Sequence, residues 1–79
     1  MSPDNIKKVL KKIVIKIKKK KVNITNFNFS KNFDSIEILD FISQIEKNFK
    51  IKFKDKSINH KNFSNITALI KLISNEKKK

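Results

Sequence analysis

At 79 residues the chain has room for one domain, which buries only about 60% of the surface its unfolded form exposes, so a simple helical fold is expected. With no cysteine and one histidine there is neither a disulfide framework nor a ligand set for zinc, and no apolar run approaches the ~20 residues of a membrane span. The net charge of +13 comes from 20 lysines without any arginine, in a composition dominated by lysine, asparagine, isoleucine and phenylalanine, the residues of AT-rich codons, which a strongly AT-biased genome can produce without selection for a basic surface.

The amino terminus opens with helix-start signals. Ser2 is an N-cap, Pro3 suits the first helical position and Asp4 places an acid in the first turn. Ile6, Val9, Leu10, Ile13, Val14 and Ile17 then recur on one stripe of a 3.6-residue period, which predicts a first helix over about residues 3–19. Residues 20–33 are rich in asparagine and lack a sustained period, so they predict a long loop. Val22, Ile24, Phe27, Phe29 and Phe33 are its expected anchors on the helices.

A second helix is expected from Asp34-Ser35 to about Asn48, with Ile36, Leu39, Ile42, Ile45 and Phe49 as one apolar line that Ile38 and Phe41 widen. So wide an apolar arc predicts the middle helix of a bundle. Four of the seven acidic residues, Asp34, Glu37, Asp40 and Glu46, fall in residues 34–46, which hold no lysine. Phe49, Ile51 and Phe53 alternate with lysines as an extended connector. Asp55 or Ser57 is expected to cap a short third helix ending near Asn62. Asn65 or Ser64 should cap the fourth, whose stripe is Ile66, Leu69, Ile70 and Ile73, and residues 74–79 are expected to fray as a basic tail. The expected fold is a single all-α domain over residues 1–79, a four-helix bundle with one short helix.

The segment DSIEILDFISQIEKNFKIKF resembles the phosphopantetheine-attachment region of acyl carrier proteins and related phosphopantetheine-binding carriers. Asp34-Ser35-Ile36 stands where that family has an Asp-Ser-Leu triplet opening an acidic helix, and Phe49-Lys50-Ile51 where it has a Phe-Gly-Ile-like exit. Asp55, Ile58, Asn62-Phe63, Ile66, Leu69 and Ile73 are similar to its third helix, Asn-Phe-x-x-Ile junction and fourth helix. The resemblance implies a 4'-phosphopantetheine arm on Ser35, with Asp34 helping to hold metal and coenzyme A in a phosphopantetheinyl transferase complex and Ile36 and Phe41 flanking the arm. It further implies an acidic docking face of Glu37, Asp40 and Glu46, joined by Phe41, for acyl-activating or synthase enzymes of fatty-acid, polyketide or nonribosomal-peptide type.

The expected protein is therefore a monomeric, cytoplasmic carrier without catalytic or metal-binding residues. Ser35 is an acceptor, because no base-orienter pair is recognisable that would activate it, and His60 is expected on a surface or hinge. A basic helical module is the alternative, with Lys7, Lys8, Lys11, Lys12 and Lys18 to Lys21 laid on nucleic acid or an anionic membrane surface. No stable nucleic-acid complex is expected under the carrier reading, since the acidic helix would oppose it.

Overall fold

Capping decides where each helix of the computed structural model begins, and the structure describes residues 2–77. Ser2 Oγ accepts the Asn5 N–H at 3.3 Å, and helix α1 runs from Pro3 to Lys18. It ends on Lys19, whose backbone turns left-handed at φ 58°. Ile6, Leu10, Ile13 and Val14 are buried along one side of α1, and Lys8, Lys11, Lys12 and Lys16 are exposed on the other.

The connection after α1 is more ordered than its composition suggests. Ile24–Asn26 form a 3-10 turn, and Phe29–Asn32 form a one-turn helix, α2. Asn28 starts α2, its Oδ1 accepting the N–H groups of both Ser30 and Lys31 at 3.0 Å. Ile24, Phe27, Phe29 and Phe33 are buried, as expected of loop anchors. Helix α3 spans Ser35–Phe49 and closes on a left-handed Lys50 at φ 56°, where Glu46 O accepts the Ile51 N–H at 3.1 Å.

The short helix expected near residues 55–62 is absent from that place. The chain makes a 3-10 turn at Asp55–Ser57 and a single turn closed by the Phe63 N–H donating to Asn59 O at 3.2 Å. Asparagine side chains explain the difference: Asn59 Oδ1 accepts the Asn62 N–H at 2.9 Å, and Asn62 Nδ2 donates to Ser57 O at 2.8 Å. Such local bonds give the backbone an alternative to the helical ladder. The bundle's one short helix is α2 instead, on the other side of α3 in the sequence.

Asn65 caps α4, Ile66–Lys77, by accepting the Ala68 N–H at 2.8 Å. Residues 74–77 continue the helix rather than fray, and Lys77 Nζ donates to Phe49 O at 3.0 Å. Lys78 and Lys79, the end of the expected tail, lie outside the described residues.

The core is one apolar cluster to which all four helices, Ile24, Phe27, Phe33, Phe53 and Phe63 contribute. Its centre is not where the apolar line of α3 put it. Helix α1 packs on both α3 and α4, so α1 is the shared element. On α3 the buried side chains are Phe41, Ile42, Ile45 and Phe49, whereas Ile36 and Leu39 are 79% and 67% exposed. Counting apolar residues on α3 overestimates its buried arc, because none of the described residues covers Ile36 and Leu39 on its amino-terminal outer side. No described helix is long and apolar enough to cross a membrane.

Candidate functional site

Phenylalanines build the floor on which the Ser35 region sits. Phe41, fully buried, stacks on Phe29 with ring centroids 5.2 Å apart and planes 8° from parallel. It also lies 4.9 Å from Phe33 and 6.5 Å from Phe63, which in turn meets Phe53 edge-on. Aromatic pairs of this kind each contribute about 0.5–1.5 kcal/mol beyond the area they bury. The Ser30 N–H donates to Phe63 O at 3.0 Å and fastens α2 to the segment before α4. The start of α3 therefore rests on a buried aromatic base.

Above this base the first turn of α3 is fixed by a reciprocal capping box. Asp34 Oδ1 accepts the Glu37 N–H at 2.7 Å, and Glu37 Oε1 accepts the Asp34 N–H at 3.1 Å. Four N–H groups lack helical partners at a helix start, and this box satisfies two of them. Those of Ser35 and Ile36 are left without a protein acceptor among the described residues. Ser35 is exposed at the first helical position, at the positive end of the helix dipole.

Glu37 Oε1 also receives the Lys18 ammonium at 2.9 Å, and Lys18 Nζ stands 5.2 Å from the centre of the Phe33 ring. The Asp34 N–H first, and Lys18 second, hold the Glu37 carboxyl below the ordinary glutamate range. Glu46 is likewise engaged within the fold, its Oε2 accepting the Phe53 N–H at 2.9 Å. Of the four acids, Asp34 and Asp40 are the exposed ones, and Gln44 Nε2 reaches Asp40 Oδ1 at 3.5 Å.

A cleft of about 280 Å³ opens beside Ser35. Asp34, Ser35 and Ile38 line it from α3, Ile58, Asn59 and His60 from the opposite loop, and Phe33 and Phe63 from below. Sequence spacing gave no sign that His60 would face the same cleft as Ser35. The asparagine-bonded turn at residues 59–63 folds it there, and neither side chain hydrogen-bonds the other. Among the described residues no group of three or more His, Asp or Glu side chains is placed to hold a metal ion.

The structure thus brings Asp34, Ser35 and Ile36 together at one exposed corner. Phe41 requires correction: it is in the core and cannot touch an arm or a partner. Its position on α3, six residues after Ser35, turns it inward with Ile42 and Ile45, while Ile36 and Leu39 point outward. No known protein family, curated protein or solved structure matches the chain.

Proposed function

We propose that the chain is a carrier protein that presents an acyl, aminoacyl or peptidyl group as a thioester on a 4'-phosphopantetheine arm attached to Ser35. The observation that carries this reading is the placement of Ser35: an exposed hydroxyl at the first position of a long helix, capped by Asp34 and bordered by an apolar-walled cleft. The unpaired N–H groups of Ser35 and Ile36 suit the phosphodiester that would form on its Oγ. When bound, the arm supplies the thiol that carries the cargo. Ile38, Ile58 and Phe63 offer an apolar wall to the group nearest the attachment point.

Ser35 acts here as the acceptor in a reaction that a transferase catalyses. Among the described residues no side chain hydrogen-bonds its hydroxyl, so activation would come from the partner enzyme, in which Asp34, as the resemblance implies, would help hold a metal ion and coenzyme A. The test is incubation with coenzyme A, Mg²⁺ and a phosphopantetheinyl transferase, followed by intact mass. A gain of one phosphopantetheine that Ser35→Ala abolishes is the expected result. A chain that stays unmodified, or a Ser35→Ala variant still labelled, overturns it.

A further inference from the structure

Away from Ser35, lysines gather along two neighbouring grooves. Lys7, Lys11 and Lys21 line the first, of about 550 Å³, between α1 and the 3-10 turn at Ile24–Asn26, together with Asn23 and Thr25. Lys61 and Lys71 line the second, of about 630 Å³, beside α4, with Thr25, Thr67 and Asn75. Thr25 belongs to both, and its hydroxyl accepts a hydrogen bond from Lys7 Nζ at 3.3 Å. The grooves therefore meet at Thr25, where the 3-10 turn and α1 both pack on α4. No aspartate or glutamate lines either groove, and Lys18, the lysine paired with Glu37, lines neither.

We infer that the two grooves form one track for the sugar-phosphate backbone of a nucleic-acid strand, held through its phosphates without regard to base sequence. Lysine is a flexible point charge that suits phosphate, and each lysine that neutralises one gains affinity by releasing a counterion. Asn23, Thr67 and Asn75 add neutral donors of the kind that position a backbone. Indifference to sequence follows from what is missing: all seven phenylalanines are buried, so no ring is offered to a base, and the chain has no arginine to fork onto a guanine edge. An acidic protein fits these grooves less well. Its interface would need an apolar anchor at the centre, and the large exposed apolar residues Ile36, Leu39 and Ile58 line neither groove. A membrane surface is also a poorer match, because it is flat where the lysines line concavities, and no exposed aliphatic or aromatic side chain accompanies them into the headgroup layer. The carboxylates of α3, which would oppose a polyanion, lie outside the track, and so does Ser35. Strand binding is thus independent of the carrier reading.

The probe is a fluorescein-labelled oligothymidylate of about 15 nucleotides, followed by anisotropy at about 0.15 M salt and along a salt series. The full chain should bind it, and a mixed-sequence oligonucleotide of the same length should bind within about twofold. With the groove lysines on phosphates, log affinity should fall against log salt with a slope of about −3 to −4. Lys11→Gln with Lys71→Gln, one lysine from each groove, should weaken binding about tenfold and flatten that slope by about 1.4. Lys12→Gln with Lys16→Gln removes the same charge from exposed positions that line neither groove, and should stay within about twofold. Lys21→Gln with Lys61→Gln replaces the first pair if circular dichroism shows that it disturbs a helix. Equal weakening by the groove pair and the control pair would reduce the attraction to diffuse charge and overturn the inference. Absence of binding at physiological salt would overturn it as well, as would equal or tighter binding of polyglutamate or of vesicles of phosphatidylcholine and phosphatidylglycerol in equal parts. Ser35→Ala should hold the strand as the parent does, and the mass assay is run on the same preparation. A primed chain that ignores the strand loses the track and keeps the carrier reading, whereas a chain that is never primed but binds by this pattern does the reverse.

Discussion

Lys18 and Glu37 meet at 2.9 Å where the end of α1 passes the start of α3, and the same Glu37 oxygen accepts the Asp34 N–H. One carboxylate therefore closes a helix cap and joins two helices. Its folded-state pKa lies below the unfolded one, so its stabilising contribution is present above the ordinary glutamate value of 4.5 and is lost as pH falls through the depressed folded value. The melting temperature should drop as the solution is acidified below that value. Glu37→Gln should be less stable at neutral pH and show a flatter dependence there, and an unchanged acid profile would place the acid sensitivity elsewhere.

Asp34 serves the fold and, in the proposed reaction, the transferase, and two substitutions separate these roles. Asp34→Asn keeps an oxygen for the Glu37 N–H and should lose only a few tenths of a kcal/mol, while Asp34→Ala should lose about 1 kcal/mol with the cap. Both should be primed slowly, because the carboxylate is gone in each. Urea titrations and priming rates measured together check this. Normal priming of Asp34→Asn would assign Asp34 to capping alone.

Phe41 and Leu39 are neighbours of opposite fate on α3. Phe41→Ala removes the ring shared by Phe29, Phe33 and Phe63 and should cost about 3–5 kcal/mol, close to the whole stability of so small a domain. Leu39→Ala should stay within about 0.5 kcal/mol, as for most exposed positions. Denaturant midpoints decide, and a loss above about 2 kcal/mol at Leu39 would show that the outer side of α3 is covered in solution.

The contrast between these two residues also shows how far the chain is legible before it is folded. The caps at Ser2, Asp34 and Asn65 and the stripes of α1 and α4 are local patterns, and each stands where local rules place it. Which side of α3 is buried depends on what packs there. A helix with apolar residues at 36, 38, 39, 41, 42 and 45 is consistent with several registers, and contact with α1 and the phenylalanine cluster selects one. The turn at residues 59–63 was hidden for a related reason. Asp55, Ser57 and a following apolar residue read as a cap, while the bonds from Asn59 and Asn62 that replace the helix involve atoms separated by three and five residues. The cleft that unites Ser35 with His60 is a product of that turn, and spacing alone gives no access to it.

A chain without glycine must end its helices on other residues, and Lys19 and Lys50 both take left-handed backbone at φ 58° and 56°. Lysine has a Cβ that crowds its own backbone there, so Lys19→Gly and Lys50→Gly should each raise stability, by about 0.5–1 kcal/mol. Thermal melts of the two variants test it. Destabilisation by both would mean that the lysine side chains make compensating contacts at the helix ends.

Because α1 ends beside the start of α3 and packs along it, the two helices run antiparallel, and Lys77 of α4 reaches the carbonyl of Phe49 at the other end of α3. Ser2 and Lys77, the two described ends, thus lie toward the pole remote from Ser35, about 20 Å away along a 15-residue helix. A tether, a fluorescent domain or a neighbouring module of a fusion joined at either end would leave the Ser35 corner open to a visiting enzyme. A tether at the carboxyl end would pull on Lys77, however, and through it on the last turn of α3, so a spacer belongs on that side before any attachment.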